Sequence, residues 1–181
     1  MLTGEDEHID KLGAGEAGGA DDVAVSEVRH AAVTNSKNSV LSGRIESVLS
    51  MKITQAILDD LTAQAKASPR SRMNMDLRNS ASDGLQRMLN AIEPGGPLPT
   101  HRHRHTSETV VCLRGRLVEE FYDELERICT ERIELSPNGP VVALNIPAGQ
   151  WHTVKALESS VILEMKNGAY EPLSEADILS L

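Results

Sequence analysis

Beyond residue 85 the chain becomes a succession of brief apolar runs, each closed by a proline or glycine turn, and this pattern limits the fold more than any other feature. The runs are Gln86 to Glu93, Thr109 to Leu113, Arg116 to Tyr122, Thr130 to Leu135, Val141 to Ile146, His152 to Ala156 and Val161 to Lys166. They are rich in Val, Ile, Leu and Thr, and Pro-Gly-Gly, Arg-Gly, Pro-Asn-Gly and Pro-Ala-Gly punctuate them. Runs of this length are too short for helices, and several at close spacing predict an antiparallel sandwich or barrel. No internal repeat is present, so the expectation is one barrel.

A different segment precedes the barrel. Thr54 can cap a helix over 54–67, in which Ile57, Leu58, Leu61 and Ala65 fall on one stripe, and Ser68-Pro69 ends it because the residue before a proline avoids helical backbone. The first fifty residues hold nine acidic against four basic side chains, four glycines between Gly13 and Gly19, and no aromatic. A stretch of that kind buries too little to offset its ordering entropy, so 1–50 is expected to be a disordered tail, with a short helix near Leu41 to Leu49. The chain of 181 residues then reads as one domain over 51–181, with the barrel spanning about 74–167.

Composition narrows the function classes. A formal net charge of -9 repels phosphate backbones and anionic headgroups, which excludes nucleic acid and membrane surfaces as expected partners. No run approaches the length of a spanning helix, and the N-terminus lacks a basic stretch ahead of an apolar one. Cys112 and Cys129 form no CxxC pair and are expected to be free thiols in a reducing, cytoplasmic setting. Aromatics are 2% of residues, so aliphatic side chains must fill the core.

The chemistry concentrates in Gly95-Gly-Pro-Leu-Pro-Thr-His101-Arg-His103-Arg-His-Thr-Ser-Glu108. On a strand, residues two apart share a face, so His101 and His103 can grip one ion while Arg102 and Arg104 face outward. Glu108 opens the next strand, and antiparallel pairing can return its carboxylate to the same interior face. In Pro147-Ala-Gly-Gln-Trp-His152 a turn leads into a strand that begins with a third histidine. Three imidazoles and one carboxylate suit a single divalent ion such as Fe, Mn, Ni, Co or Zn, with coordination positions left open.

Each of these side chains has a plainer reading as a surface or packed residue. His105 forms a rival His-x-His pair with His103 but leaves only two residues before Glu108, which places it on the turn; Glu164 on a late strand competes with Glu108. Cys112 shares the Glu108 face and reads as a buried inert thiol. Trp151 alternates with His152 and is expected to pack against another element or subunit. Arg72, Asn74, Arg78, Gln86 and Asn90 crowd the segment expected to line or cover the barrel mouth, and as a group hint at a small polar, anionic or sugar-like ligand.

The spacing Gly95-x5-His101-x-His103-x4-Glu108-x6-Gly115 resembles the first cupin motif, and Pro147-x-Gly149-x2-His152 the centre of the second. At the outer positions of the second motif the chain departs, with its earlier glycine displaced to Gly139 and Ala156 in place of asparagine. A closer resemblance, from Met51 to about Tyr170, is to the WbuC family of cupin-fold metalloproteins. It is carried by Ser68-Pro-Arg-x-Arg-Met-Asn74, Leu77-Arg-Asn-Ser80, Gln86-Arg-Met-Leu-Asn90, Glu131-Arg-Ile-Glu-Leu-Ser-Pro137 and the histidine motifs. That resemblance implies a mainly β, single double-stranded β-helix barrel from a bacterium, sometimes associated with surface-polysaccharide loci, and a homodimer as cupins often form. It also makes Met51 the expected start. Two functions follow: a metalloenzyme acting on a small polar molecule, as an isomerase, hydrolase or dioxygenase, or a non-catalytic, metal-stabilised binding or sensing module. Tyr122, His105 and Arg78 are guesses for the acid or base. Metal-free sugar-nucleotide epimerisation is disfavoured by the intact ligand set.

Overall fold

The computed structural model describes residues 50–181; the expected tail and the helix near Leu41 to Leu49 lie outside the described residues. Helix α1 covers Gln55–Ala67, with Thr54 at its N-cap accepting from the Ile57 amide and Ser68 at its C-cap, as the sequence predicts. Ten strands follow: β1 Arg72–Asp76, β2 Leu85–Ile92, β3 Thr100–His101, β4 Glu108–Arg114, β5 Leu117–Tyr122, β6 Cys129–Leu135, β7 Ala143–Ile146, β8 Trp151–Ala156, β9 Ser160–Asn167 and β10 Ile178–Leu179. All seven predicted runs are strands, with ends displaced by two residues at most.

The strands form two five-stranded sheets, β1-β2-β9-β4-β7 and β10-β3-β8-β5-β6, paired antiparallel throughout. From β2 onward the chain alternates between the sheets, except at the β5 to β6 hairpin. The result is the double-stranded β-helix, or jelly roll. Alternation along each strand explains why two apolar clusters form. Ile92, Val110, Cys112, Leu117, Leu135, Ile146 and Ile162 fill the space between the sheets. Leu89, Ala91 and Val161 face the other way and pack beneath Leu58, Leu61 and Ala65 of α1. The helix thus covers the outer face of the first sheet, opposite the barrel interior.

Three features differ from expectation. β1 is a strand that the sequence did not announce, because only Met73 and Met75 supply an apolar period and its other residues are polar. The short β10 likewise lacks a run of its own and is held by pairing with β3. β4 does not pair with β3: it lies in the opposite sheet, between β9 and β7. In a double-stranded β-helix, consecutive strands cross the barrel, so Glu108 faces the histidines across the interior and not from an adjacent strand.

Candidate metal centre

One ligand atom from each of His101, His103, Glu108 and His152 lies within 4.8 Å of every other, so the structure brings together all four residues singled out in the sequence. His101 ends β3 and is the register partner of His152 on β8, with ring centroids 4.5 Å apart. His103 lies beyond the end of β3 and not, as expected, on the strand itself. Its backbone is nevertheless tied down, since the Gly149 amide donates to the His103 carbonyl at 2.7 Å, and its ring centroid is 5.0 Å from that of His101. Gly149 has φ +81, a left-handed conformation that glycine adopts without strain, and so lets the turn before His152 meet the His103 loop.

The donor set fits a cation. His152 Nδ1 lies 2.9 Å from the Gln150 carbonyl oxygen and His101 Nδ1 lies 3.2 Å from that of Pro99. A carbonyl only accepts, so these Nδ1 atoms carry the protons and Nε2 carries the lone pair in both rings. Glu108 is buried, and its Oε2 is 3.0 Å from Nε2 of His103 yet makes no hydrogen bond. A buried carboxylate oxygen without a hydrogen bond, ringed by three imidazoles, is a group that a cation would satisfy.

Electrostatics shape the same cluster. Burial works to raise the Glu108 carboxyl, but the imidazoles of His103 and His152 outweigh it and hold the group well below the usual carboxylate range. Burial, with His152 and His103 beside it, lowers His101 to about 4, so its imidazole is neutral near pH 7. His152 moves up instead, because the Glu108 carboxylate overcomes the effect of burial.

Next to this cluster the barrel interior holds ionisable groups that strand alternation places there. On β9, Ile162, Glu164 and Lys166 share the inward face; on β5, Leu117, Glu119 and Phe121 do. Lys166 Nζ stands 3.2 Å from His103 Nδ1. Glu164 accepts from Asn90 Nδ2 at 2.8 Å and stays outside the four-residue cluster that contains its rival Glu108. Burial pushes Glu164 up to about 8, assisted by Glu108, and pushes Glu119 up to about 8 as well. Glu119 is 2% exposed with an unpartnered Oε2. The sequence reading missed Glu119 and Lys166; the signal available was their parity with apolar inward residues on the same strands.

The remaining candidates divide. Gln86, with a buried and unpartnered Oε1, and Asn90 lie on the inward face of β2. Arg72 and Asn74 belong to edge strand β1, and Arg78 follows it, bonding Asp76 and lying over the Tyr170 ring at 5.9 Å. His105 is exposed on the turn, as expected. Tyr122 alternates with Phe121 and so points away from the interior, where its hydroxyl donates to Glu120 at 2.7 Å. Burial and that carboxylate push it up to about 12, which removes it as an acid or base for the centre. Cys112 is a free thiol in the apolar core, and Cys129 is also free. Trp151 is buried under the Arg102 guanidinium, 4.3 Å from the ring centroid.

Fold and cluster together define a cupin-type barrel with a three-histidine, one-glutamate constellation. The family model matching the chain is a domain of unknown function, DUF6016, over residues 53–135. No curated protein matches. Among solved structures the chain is similar to KdgF from Halomonas sp., at 18% identity and a TM-score of 0.44, covering 57% of this chain and 84% of that one. It is also similar to an oxalate oxidase in complex with the substrate analogue glycolate, at 15% identity and TM-score 0.46, covering 59% and 55% of the two chains. A third is the capsular polysaccharide assembling protein CapF from Staphylococcus aureus, at 22% identity and TM-score 0.46, covering 63% and 32%. No described helix is long and apolar enough to cross a membrane.

Proposed function

We propose that this barrel binds one divalent metal ion through His101, His103, Glu108 and His152 and acts as a metalloenzyme on a small polar molecule, in line with its resemblance to the WbuC family. The observation that carries the reading is the convergence of four ligand atoms within 4.8 Å around a buried Glu108 oxygen that has no hydrogen bond. When bound, such an ion would polarise a substrate oxygen or lower the pKa of water.

The chain's own residues would do the rest. His101 and His152 are held in one tautomer by the Pro99 and Gln150 carbonyls, so their lone pairs stay directed at the centre. Glu164, fixed by Asn90, and Glu119 are carboxyls that remain largely protonated at neutral pH and can donate where an ionised carboxylate could not. Buried oxygens on Gln86 and Glu119 that make no hydrogen bond within the protein are acceptors available to a polar ligand in the interior. Asn90 and Gln86 offer amides suited to hydroxyl groups, which supports a hydroxylated or saccharide-like ligand.

The test is elemental analysis of anaerobically purified protein beside His101→Ala and His152→Ala. Stoichiometric metal in the parent and its loss from both folded variants is the expected result. Retention of metal by both variants would remove the assignment.

A further inference from the structure

We infer that the C-terminal segment is a strap that positions the histidine pair, with Asp177 as the positioning residue. The inference rests on the metal-binding reading above and adds a residue from the far end of the chain. β3, which carries His101, is two residues long and meets β8 through the single register pair His101 with His152. Its other edge would be open but for β10, where Ile178 pairs with His101 and Leu179 with Thr100.

Asp177, just before β10, reaches both arginines that alternate with the histidines. Its carbonyl accepts from the Arg102 amide at 3.1 Å, and its carboxylate meets Arg104 Nε at 2.5 Å and Arg102 Nε at 3.4 Å. Arg104 Nη2 donates to the Ala176 carbonyl at 2.7 Å, and the Ser174 hydroxyl donates to the second Asp177 oxygen. Arg102 also lies over Trp151, the neighbour of His152. Arg102 and Arg104 flank His103 just beyond β3, so anchoring both of them to the strap holds the segment that carries His103, while β10 holds His101. The Asp177 and Arg102 side chains are only 17% and 13% exposed, so this is not a loose surface pair.

Co2+ binding to the full chain tests the idea, with affinity read by competition against a chromophoric chelator and geometry read from the d–d absorption spectrum. Direct outer partners of metal ligands are typically worth 10- to 100-fold in affinity, and Asp177 acts one contact further out through Arg102 and Arg104, so Asp177→Ala is expected to bind Co2+ more weakly by at most about tenfold, with an altered spectrum. Asp177→Glu should recover most of the affinity and the parental spectrum. Should Asp177→Ala not fold, Arg104→Gln, which loses the contacts to Asp177 and Ala176 of the strap, carries the same expectation on a smaller scale. A folded Asp177→Ala protein with parental affinity and spectrum overturns the strap. Equal Co2+ uptake by the parent and His152→Ala would show instead that the metal reading had failed, and the strap with it.

Discussion

His101 and His152 face each other as register partners across β3 and β8, their rings 4.5 Å apart, while Glu108 approaches them from the opposite sheet. The centre therefore bridges the two sheets, and a cation held there would join them. Metal at about a hundredfold its dissociation constant should stabilise the protein by about 2.7 kcal/mol, raising Tm by several degrees. Differential scanning fluorimetry with and without a chelator measures this shift, and His152→Ala should abolish it.

Glu119 should cost the metal-free protein stability as pH rises. Its folded pKa of about 8 lies above the ordinary carboxyl value, so the folded state binds more protons than the unfolded one between about 4.5 and 8. Stability from this group is therefore present at low pH and lost as pH climbs towards 8. His101 acts in the opposite sense below 6.5, and Glu164, also raised to about 8, acts in the same sense, so Glu119 is isolated by comparing the parent with Glu119→Gln between 6.5 and 8. Glu119→Gln should be more stable than the parent at pH 8, by on the order of a few kcal/mol. Chelated protein of both kinds, melted across this window, should show a margin that widens with pH. A constant margin would mean that the carboxyl does not titrate there.

Leu61 separates fold from site. It is 2% exposed, between α1 and the outer face of the first sheet. Leu61→Ala should lose about 2–5 kcal/mol by cavity formation. Urea denaturation would record the loss, and metal stoichiometry should be unchanged, because the helix packs on the face away from the ligands.

Gly115, the last glycine of the first motif, sits at φ +78, and a Cβ there would run into the Ser159 carbonyl and the Ser160 side chain. Gly115→Ala pays both the left-handed backbone cost and that overlap, so destabilisation beyond about 2 kcal/mol is expected. Equal urea midpoints for variant and parent would contradict this.

Much of the molecule is legible in the order of residues. Short runs rich in Val, Ile, Leu and Thr between glycine and proline turns mark seven strands, because β-branched and aliphatic side chains pack well on a pleated sheet and the turns are too close for helices; the Thr54 cap and Ser68-Pro69 stop mark α1 for equally local reasons. The spacing of His101, His103, Glu108 and His152 singles out without coordinates the four side chains that the fold brings within 4.8 Å of one another. Strand partnership is another matter, since hydrogen bonding between backbones carries no residue code. The placement of Glu108 opposite the histidines, the capture of β3 by β10, and the approach of Lys166 to His103 arise only when the chain crosses between sheets. Glu119 makes the point most sharply. By sequence it is one of two adjacent acids, and only the barrel's closure decides that it turns into the interior, where desolvation changes its chemistry, while Glu120 turns out to meet Arg132 and Lys155.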